Sequence, residues 1–463
     1  MQIENKTFDE LEVGASAELR RLCTADGLAE FASVSGNHNP LHLDNQDGDG
    51  DGRPEAIAPG MYSATLVSAV LGSILPGAGT LYRSQSVIFH ETAHAGDELV
   101  ARVTITAKQP GDQSVTLTTE VRRLADDALI LDGEAIVRAP ARKIRMDSSE
   151  LPGLILQRHR HFERILALAE PLPALGTAVV CPEEAHSLGG ALLARKHTLI
   201  DPVLIGSARR IAETAAEIGA DLTGIEVIDL PLPRDAARHA VELVHAGRVH
   251  AIMKGHLHTD ELLRPMLDKQ TGLRIGRRFT HVFVMDVPGL DHPLLVTDAA
   301  INIAPDLRTK VDIVQNGIDL ARSIGIEQPK VGVLSAVETV NPDIPSSLDA
   351  ALLSKMADRG QITGGLVDGP LAMDNAVDLA AARVKGIRSP VAGKADVLVV
   401  PNLDAGNMLA KQLTYISHAE AAGLMLGARV PVILNSRADD DMARLASCAV
   451  AALHHARISG GTA

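Results

Sequence analysis

Two rhythms of apolar and polar positions divide the chain. The segments "ELVARVTITA" (98–107) and "QSVTLTTEVRRL" (113–124) alternate with a period of two, as half-buried strands do. Ahead of them, residues 56–82 carry no charged side chain. A run of that length raises the question of a membrane span, but Pro59, Gly60, Pro76, Gly77 and Gly79 confine any helix to about sixteen residues, too short to cross a bilayer. The pattern predicts instead a helix buried inside a globular domain. An earlier helix is expected after Thr24, which suits the N-cap position. Residues 1–145 thus read as an α+β domain, a helix laid against an antiparallel sheet. The polar "MDSSELPG" (146–153) has the composition of a linker.

From residue 154 onward the rhythm changes to short apolar runs, each closed by a polar or glycine-containing loop and followed by a helical pattern. Examples are "HAIMKGHLHTDELLRPML", "LLVTDAAINIAPDLRTKVDIV", "KVGVLSAVET", "DVLVVPNLDAGNMLAKQL" and "PVILNSRADDDMARLA". This is the grammar of parallel α/β units, whose ligands bind at the carboxyl ends of strands, where helix N-termini offer free N–H groups to anions. No strand is followed by G-x-G-x-x-G with an acid beyond it, and no G-x-x-x-x-G-K-[ST] loop occurs, which argues against nicotinamide and ATP.

At 463 residues the chain exceeds what one core usually supports, so two or three domains are expected. A net charge of -14 and an aromatic content of 2% argue against a nucleic-acid surface, so a polyanionic ligand must meet a local basic pocket. Cys23, Cys181 and Cys448 show no metal-ligand spacing, and their odd number suits a reducing compartment, where they read as small buried hydrophobes. The opening "MQIENKTFDELEVG" places acids where a secretory signal needs positive charge, which predicts a cytoplasmic protein.

"VILNSRADDD" puts Ser436 and Arg437 directly after a predicted strand and before a helix expected to begin near Asp439. A guanidinium can hold phosphate bidentately and a hydroxyl can donate to an oxyanion or a departing thiolate. Alone, the pair equally fits a serine N-cap followed by a surface arginine. Together with "KGHLHTDELLRPML", "VDGPLAMDNAV" and "PNLDAGNMLAKQL", however, the segment from about 154 to 458 resembles the phosphate acetyltransferase and phosphate butyryltransferase family. The resemblance implies two α/β subdomains with a cleft across residues 154–463. It also implies transfer of an acyl group between coenzyme A and inorganic phosphate, both substrates, with no bound cofactor. Ser436 and Arg437 match the family's serine and arginine, with roles in thiolate stabilisation and in phosphate or carbonyl contact. Arg264 matches the arginine of its "RP" segment, and Asp441, with Asp440 close behind, matches its aspartate. Lys254 and Thr259 read as further anion contacts. His256 and His258, near Asp260 and Glu261, could form a metal site but equally serve as neutral hydrogen-bonding groups, and the resemblance asks for no metal.

The first half carries "FASVSGNHNPLHLD", "IAPGMYSATLVSAVLG" and "HAGDELVARVTI", and with them resembles the MaoC-like, hot-dog-fold hydratases of R-3-hydroxyacyl thioesters. In that family the loop reads S-G-D-x-N-P-x-H, and its aspartate and histidine act on one water. Here His42 matches the histidine while Asn37 replaces the aspartate, and an amide cannot accept a proton at neutral pH. His38 lies close by in sequence. Pro59 stands where many members have histidine, and "DGDGDG" (47–52) replaces a more apolar flap segment. That tract resembles a calcium loop, but Ala58 occupies the position of the closing glutamate, so a solvated loop is the reading adopted. Hot-dog domains pair through their sheets, which implies a homo-oligomer.

Both halves point to acyl-CoA, in the manner of bifunctional enoyl-CoA hydratase and phosphate acetyltransferase proteins. The expected function is a phosphate acyltransferase, acetyl first, fused to a hydratase-like domain of weakened activity. The alternatives are a butyryl- or propionyltransferase with an active R-specific hydratase, and a non-catalytic acyl-CoA-binding protein.

Overall fold

The computed structural model describes residues 2–42, 56–147, 160–434 and 440–460. The chain divides into two units, Met1–Leu156 and Gln157–Ala463. The first begins with β1 (Gln2–Glu4), β2 (Ser16–Leu22), α1 (Ala25–Ser35) and α2 (Gly60–Ser73). Strands β3 (Leu81–Gln85), β4 (Ile88–Phe89), β5 (Glu98–Gln109), β6 (Ser114–Arg123), β7 (Leu129–Arg138) and β8 (Arg145–Asp147) follow. An antiparallel sheet in the order β2-β5-β6-β7-β3, with β4 also on β7, wraps α2. The alternation seen in the sequence is the reason. Leu99, Ala101, Val103, Val115, Leu117 and Val121 turn one face of the sheet onto Leu66, Val67, Val70 and Leu71 of α2. The helix stops at Ser73, just short of Pro76, and Thr24 caps α1 by accepting from Gly27 N–H at 3.0 Å. This is the hot-dog arrangement. Met146 and Asp147, expected in a linker, belong instead to β8, which pairs with β1. That ladder runs through backbone groups, so it leaves no apolar signal in the sequence. The calcium-like tract at 47–52 and the rest of the linker lie outside the described residues.

The second unit begins with α3 (Arg160–Ala169), β9 (Leu175–Val180), α4 (Ala185–Lys196), β10 (Ile200–Gly206), α5 (Ala208–Glu217) and β11 (Glu226–Asp229). It continues through α6 (Pro233–His245), β12 (Ala251–Lys254), α7 (Thr259–Leu267), β13 (Thr280–Asp286), β14 (Leu294–Thr297), α8 (Leu307–Ser323) and β15 (Lys330–Leu334). Then come α9 (Pro345–Asp358), β16 (Leu366–Leu371), α10 (Met373–Val377), α11 (Leu379–Val384) and β17 (Val397–Val399). Last are α12 (Leu403–Tyr415), β18 (Glu420–Leu426), β19 (Val432–Ile433) and α13 (Asp441–Ile458). One sheet takes the order β11-β10-β9-β12-β19-β18-β13-β14-β17-β15-β16. Its first five strands are parallel, as are its last four.

The parallel pairing is interrupted in the middle of the sheet. The contacts β19–β18, β18–β13 and β13–β14 are antiparallel. The connections 427–431 and 287–293 are too short for a crossover, which takes a dozen or more residues, so these strands turn back as hairpins. The reversal places the ends of β12, β19 and β13 and the start of β18 along one edge of the sheet. Helices cover both faces, so β14 and β17 are buried throughout, as their unbroken apolar runs require. α13 is buried from Ala443 to His454, packed between the sheet and α3, α4 and α8. Among the described residues, no helix is long and apolar enough to cross a membrane.

Candidate active site

Along the edge where β12 and β19 end, α7 begins at Thr259 and α13 at Asp441, so two helix N-termini lie on the same side of the sheet. Such termini carry unsatisfied N–H groups and partial positive charge. The turn after β12 is drawn tightly against β9. Gly255 N–H donates to Val180 O at 2.8 Å and His256 N–H to Cys181 O at 2.6 Å. A Cβ on Gly255 would stand 2.3 Å from the Cys181 carbonyl oxygen, so only glycine fits this close approach. The tight turn leads into α7, whose N-cap is His258. Glu261 accepts from the His258 N–H at 3.2 Å, completing a capping box.

A cavity of about 230 Å³ opens on the same edge, lined by Phe283, Asn407, Lys411, Thr414, Glu420 and Asp440 among others. Glu420 opens β18 directly opposite Asp286, the last residue of β13. Opposed residues of an antiparallel ladder project to the same face, so the two carboxyls are neighbours. Burial, and then the carboxylates of Asp440 and Asp286, push the Glu420 carboxyl up to about 7. Its carboxyl also stands within hydrogen-bonding reach of that of Asp440. Asp440 is the N-cap of α13 and accepts from Ala443 N–H at 2.8 Å.

The residues expected from sequence fall in several places. Ser436 and Arg437 lie outside the described residues, between Leu434 after β19 and Asp440 before α13. Of the two aspartates considered, Asp440 lines the cavity, while Asp441 is the exposed first residue of α13. Lys254 ends β12 half-buried, and Thr259 is exposed at the start of α7. Arg264, 83% exposed, sits 3.7 Å from Asp260 and lines a separate cavity of about 380 Å³ with Arg234, Arg238 and Thr271. Among the described residues no three His, Cys, Asp or Glu side chains gather as metal ligands, His256 and His258 included. All three cysteines are free and buried, and burial pushes the thiols of Cys181 and Cys448 up to about 12 and that of Cys23 to about 11, far from reactive thiolates. Motif reading missed Glu420 and Asp286. Their signal was faint, a single acid at the head or tail of an apolar strand.

In the first unit, Asn37 follows α1 and is exposed, its Oδ1 accepting from Asn39 N–H at 3.4 Å. His42 is half-buried, with Nδ1 2.7 Å from Ile57 O. Pro59 is the N-cap residue of the central helix α2.

Residues 231–452 match the family described as Phosphate acetyl/butaryl transferase, and residues 10–125 match the MaoC like domain. A phosphate acetyltransferase of Rhizobium meliloti is 56% identical over 296 residues, 64% of this chain and 94% of that protein. A phosphate butyryltransferase of Clostridium acetobutylicum is 42% identical over 294 residues, 64% of this chain and 98% of that protein. The crystal structure of a branched-chain phosphotransacylase from Enterococcus faecalis V583 aligns with a TM-score of 0.54 at 30% identity, covering 61% of this chain and 99% of that one.

Proposed function

Because the chain belongs to the phosphate acetyl/butyryltransferase family, with a MaoC-like domain ahead of its phosphate acyltransferase unit, we propose that it converts acetyl-CoA and phosphate to acetyl phosphate and free coenzyme A. Acetyl is preferred to butyryl because identity is higher to the acetyl-named relative than to the butyryl-named one. The observation that carries the site assignment is the cavity beside the N-terminus of α13, at the edge where β19 ends and the segment holding Ser436 and Arg437 begins.

Phosphate is already a nucleophile at neutral pH, so the site has to orient it and manage charge. In this reading Arg437 holds the phosphate or polarises the thioester carbonyl, and Ser436 donates to the sulfur as the C–S bond breaks. Lys254, Thr259 and Arg264 contact the anionic substrates, and a carboxylate at the head of α13, Asp441 or Asp440, assists the proton transfer. The first unit binds acyl-CoA in its groove and hydrates enoyl-CoA weakly, since Asn37 cannot take a proton. Pairing of its sheets would make the protein a homo-oligomer, and its substrates place it in the cytoplasm.

Substituting Ser436→Ala or Arg437→Ala in the full-length protein is expected to lower phosphate-dependent thiol release by about 10²-fold or more, with folding unchanged. Full activity in both variants would remove these residues from the mechanism.

A further inference from the structure

The acyltransfer reading leaves one bookkeeping question, which the geometry around Glu420 addresses. Monohydrogen phosphate attacks carrying a proton, and the leaving sulfur must acquire one. We propose that Glu420 and Asp440 work as a single proton-sharing carboxyl pair in the cavity on the β18 edge, with Glu420 carrying the proton from phosphate to sulfur and Asp440 positioning it. This rests on the phosphate acyltransfer reading and adds a residue to it.

Three observations converge on Glu420. It lines the same cavity as Asp440, and the two carboxyls stand within hydrogen-bonding reach of each other. Two carboxyls can bond in this way only if one of them keeps a proton. Asp440 is already engaged as an acceptor, its Oδ1 taking the Ala443 N–H at 2.8 Å at the positive end of α13. Glu420 is half-buried and pressed by the acids of Asp440 and Asp286, whereas Asp440 is exposed, so Glu420 is the member of the pair placed to hold the proton. From behind, Asp286 presses in the same direction. It is 1% exposed, and its Oδ2 accepts from Phe162 N–H at 2.9 Å. Its Oδ1 accepts no hydrogen bond among the described residues, and it stands opposite Glu420 in the β13–β18 ladder. Among the described residues, the groups around Glu420 include Asp286 on β13, Asp440 at the head of α13, Glu163 on α3, and Lys411 and Tyr415 on α12. The neighbouring acids and burial hold its carboxyl near neutrality, where one group can serve as both acid and base.

The transfer then balances without an outside acid. A phosphate oxygen forms a bond to the carbonyl carbon. As the adduct collapses, the C–S bond breaks with its electron pair on sulfur, and sulfur takes the proton of Glu420. The Glu420 carboxylate next takes the proton left on the phosphoryl group. Acyl phosphate and free thiol depart, and the pair is back in its starting state.

The test uses the full-length protein with Glu420→Gln and Glu420→Asp. Infrared difference spectra against Glu420→Gln read the carboxylic acid directly, and phosphate-dependent thiol release is followed from about pH 5 to 9. In the wild-type protein the acid band should titrate out around neutrality, and turnover should decline as the pH rises through the same range. Glu420→Gln should lower kcat by about 10²-fold, leave both KM values within about twofold and abolish that decline. Glu420→Asp should keep the decline and part of the rate, which separates a lost proton from a damaged fold. Unchanged kcat and pH profile in Glu420→Gln, or a Glu420 already ionised at pH 5, overturns the relay alone. A wild-type protein that holds the proton but releases no thiol with phosphate overturns the acyltransfer reading and the relay with it.

Discussion

The Nδ1 of His42 faces the Ile57 carbonyl oxygen at 2.7 Å, and a carbonyl can only accept, so the ring proton sits on Nδ1. In the neutral ring that leaves the lone pair on Nε2, the atom through which a base would act. If the proposed hydratase site is retained, His42 is one half of its water-activating pair, and the missing half is a carboxylate at position 37, where an exposed amide stands. Substituting Asn37→Asp is expected to raise crotonyl-CoA hydration by about 10²-fold or more. A rate unchanged from wild type would mark this unit as a binding or assembly domain. His42 and Asn37 were legible in the sequence because they sit in a motif of fixed spacing. Glu420 was not, because what distinguishes it is a ladder partner and a helix cap, each distant or unremarked in the chain.

Elements with a strong period were legible from the sequence. β5 and β6 declare themselves by alternation, and α2 by an uncharged run bounded by proline and glycine. β4 and β19, of two residues each, are too short for any period to register, and the antiparallel turn-backs at β13 and β18 look like every other apolar run. The fit between elements can be tested at Gly255. A methyl group there would meet the Cys181 and Val180 carbonyl oxygens at 2.3 and 2.4 Å, and backbone atoms cannot swing aside. Gly255→Ala should therefore destabilise the protein by about 1–3 kcal/mol, seen as an earlier midpoint in urea unfolding, and should slow acyl transfer by displacing the start of α7. An unshifted midpoint would mean that the turn relaxes more easily than this packing allows.

At the scale of the whole molecule, two units have separate hydrophobic cores, one matching the phosphate acetyl/butyryltransferase family and the other the MaoC-like domain. Their division was readable from the change of rhythm near residue 150, and the acyltransferase half from four motifs in family order. The size of the cavity proposed to take the acyl group was not, because it depends on how α12, β13, β18 and α13 close around it. The central claim is transfer to phosphate. The direct measurement is free thiol released by the full-length protein from acetyl-, propionyl- and butyryl-CoA, with and without inorganic phosphate. Release that requires phosphate, fastest with acetyl-CoA, is the expected result. Folded protein that releases no thiol from any of the three when phosphate is added would contradict it.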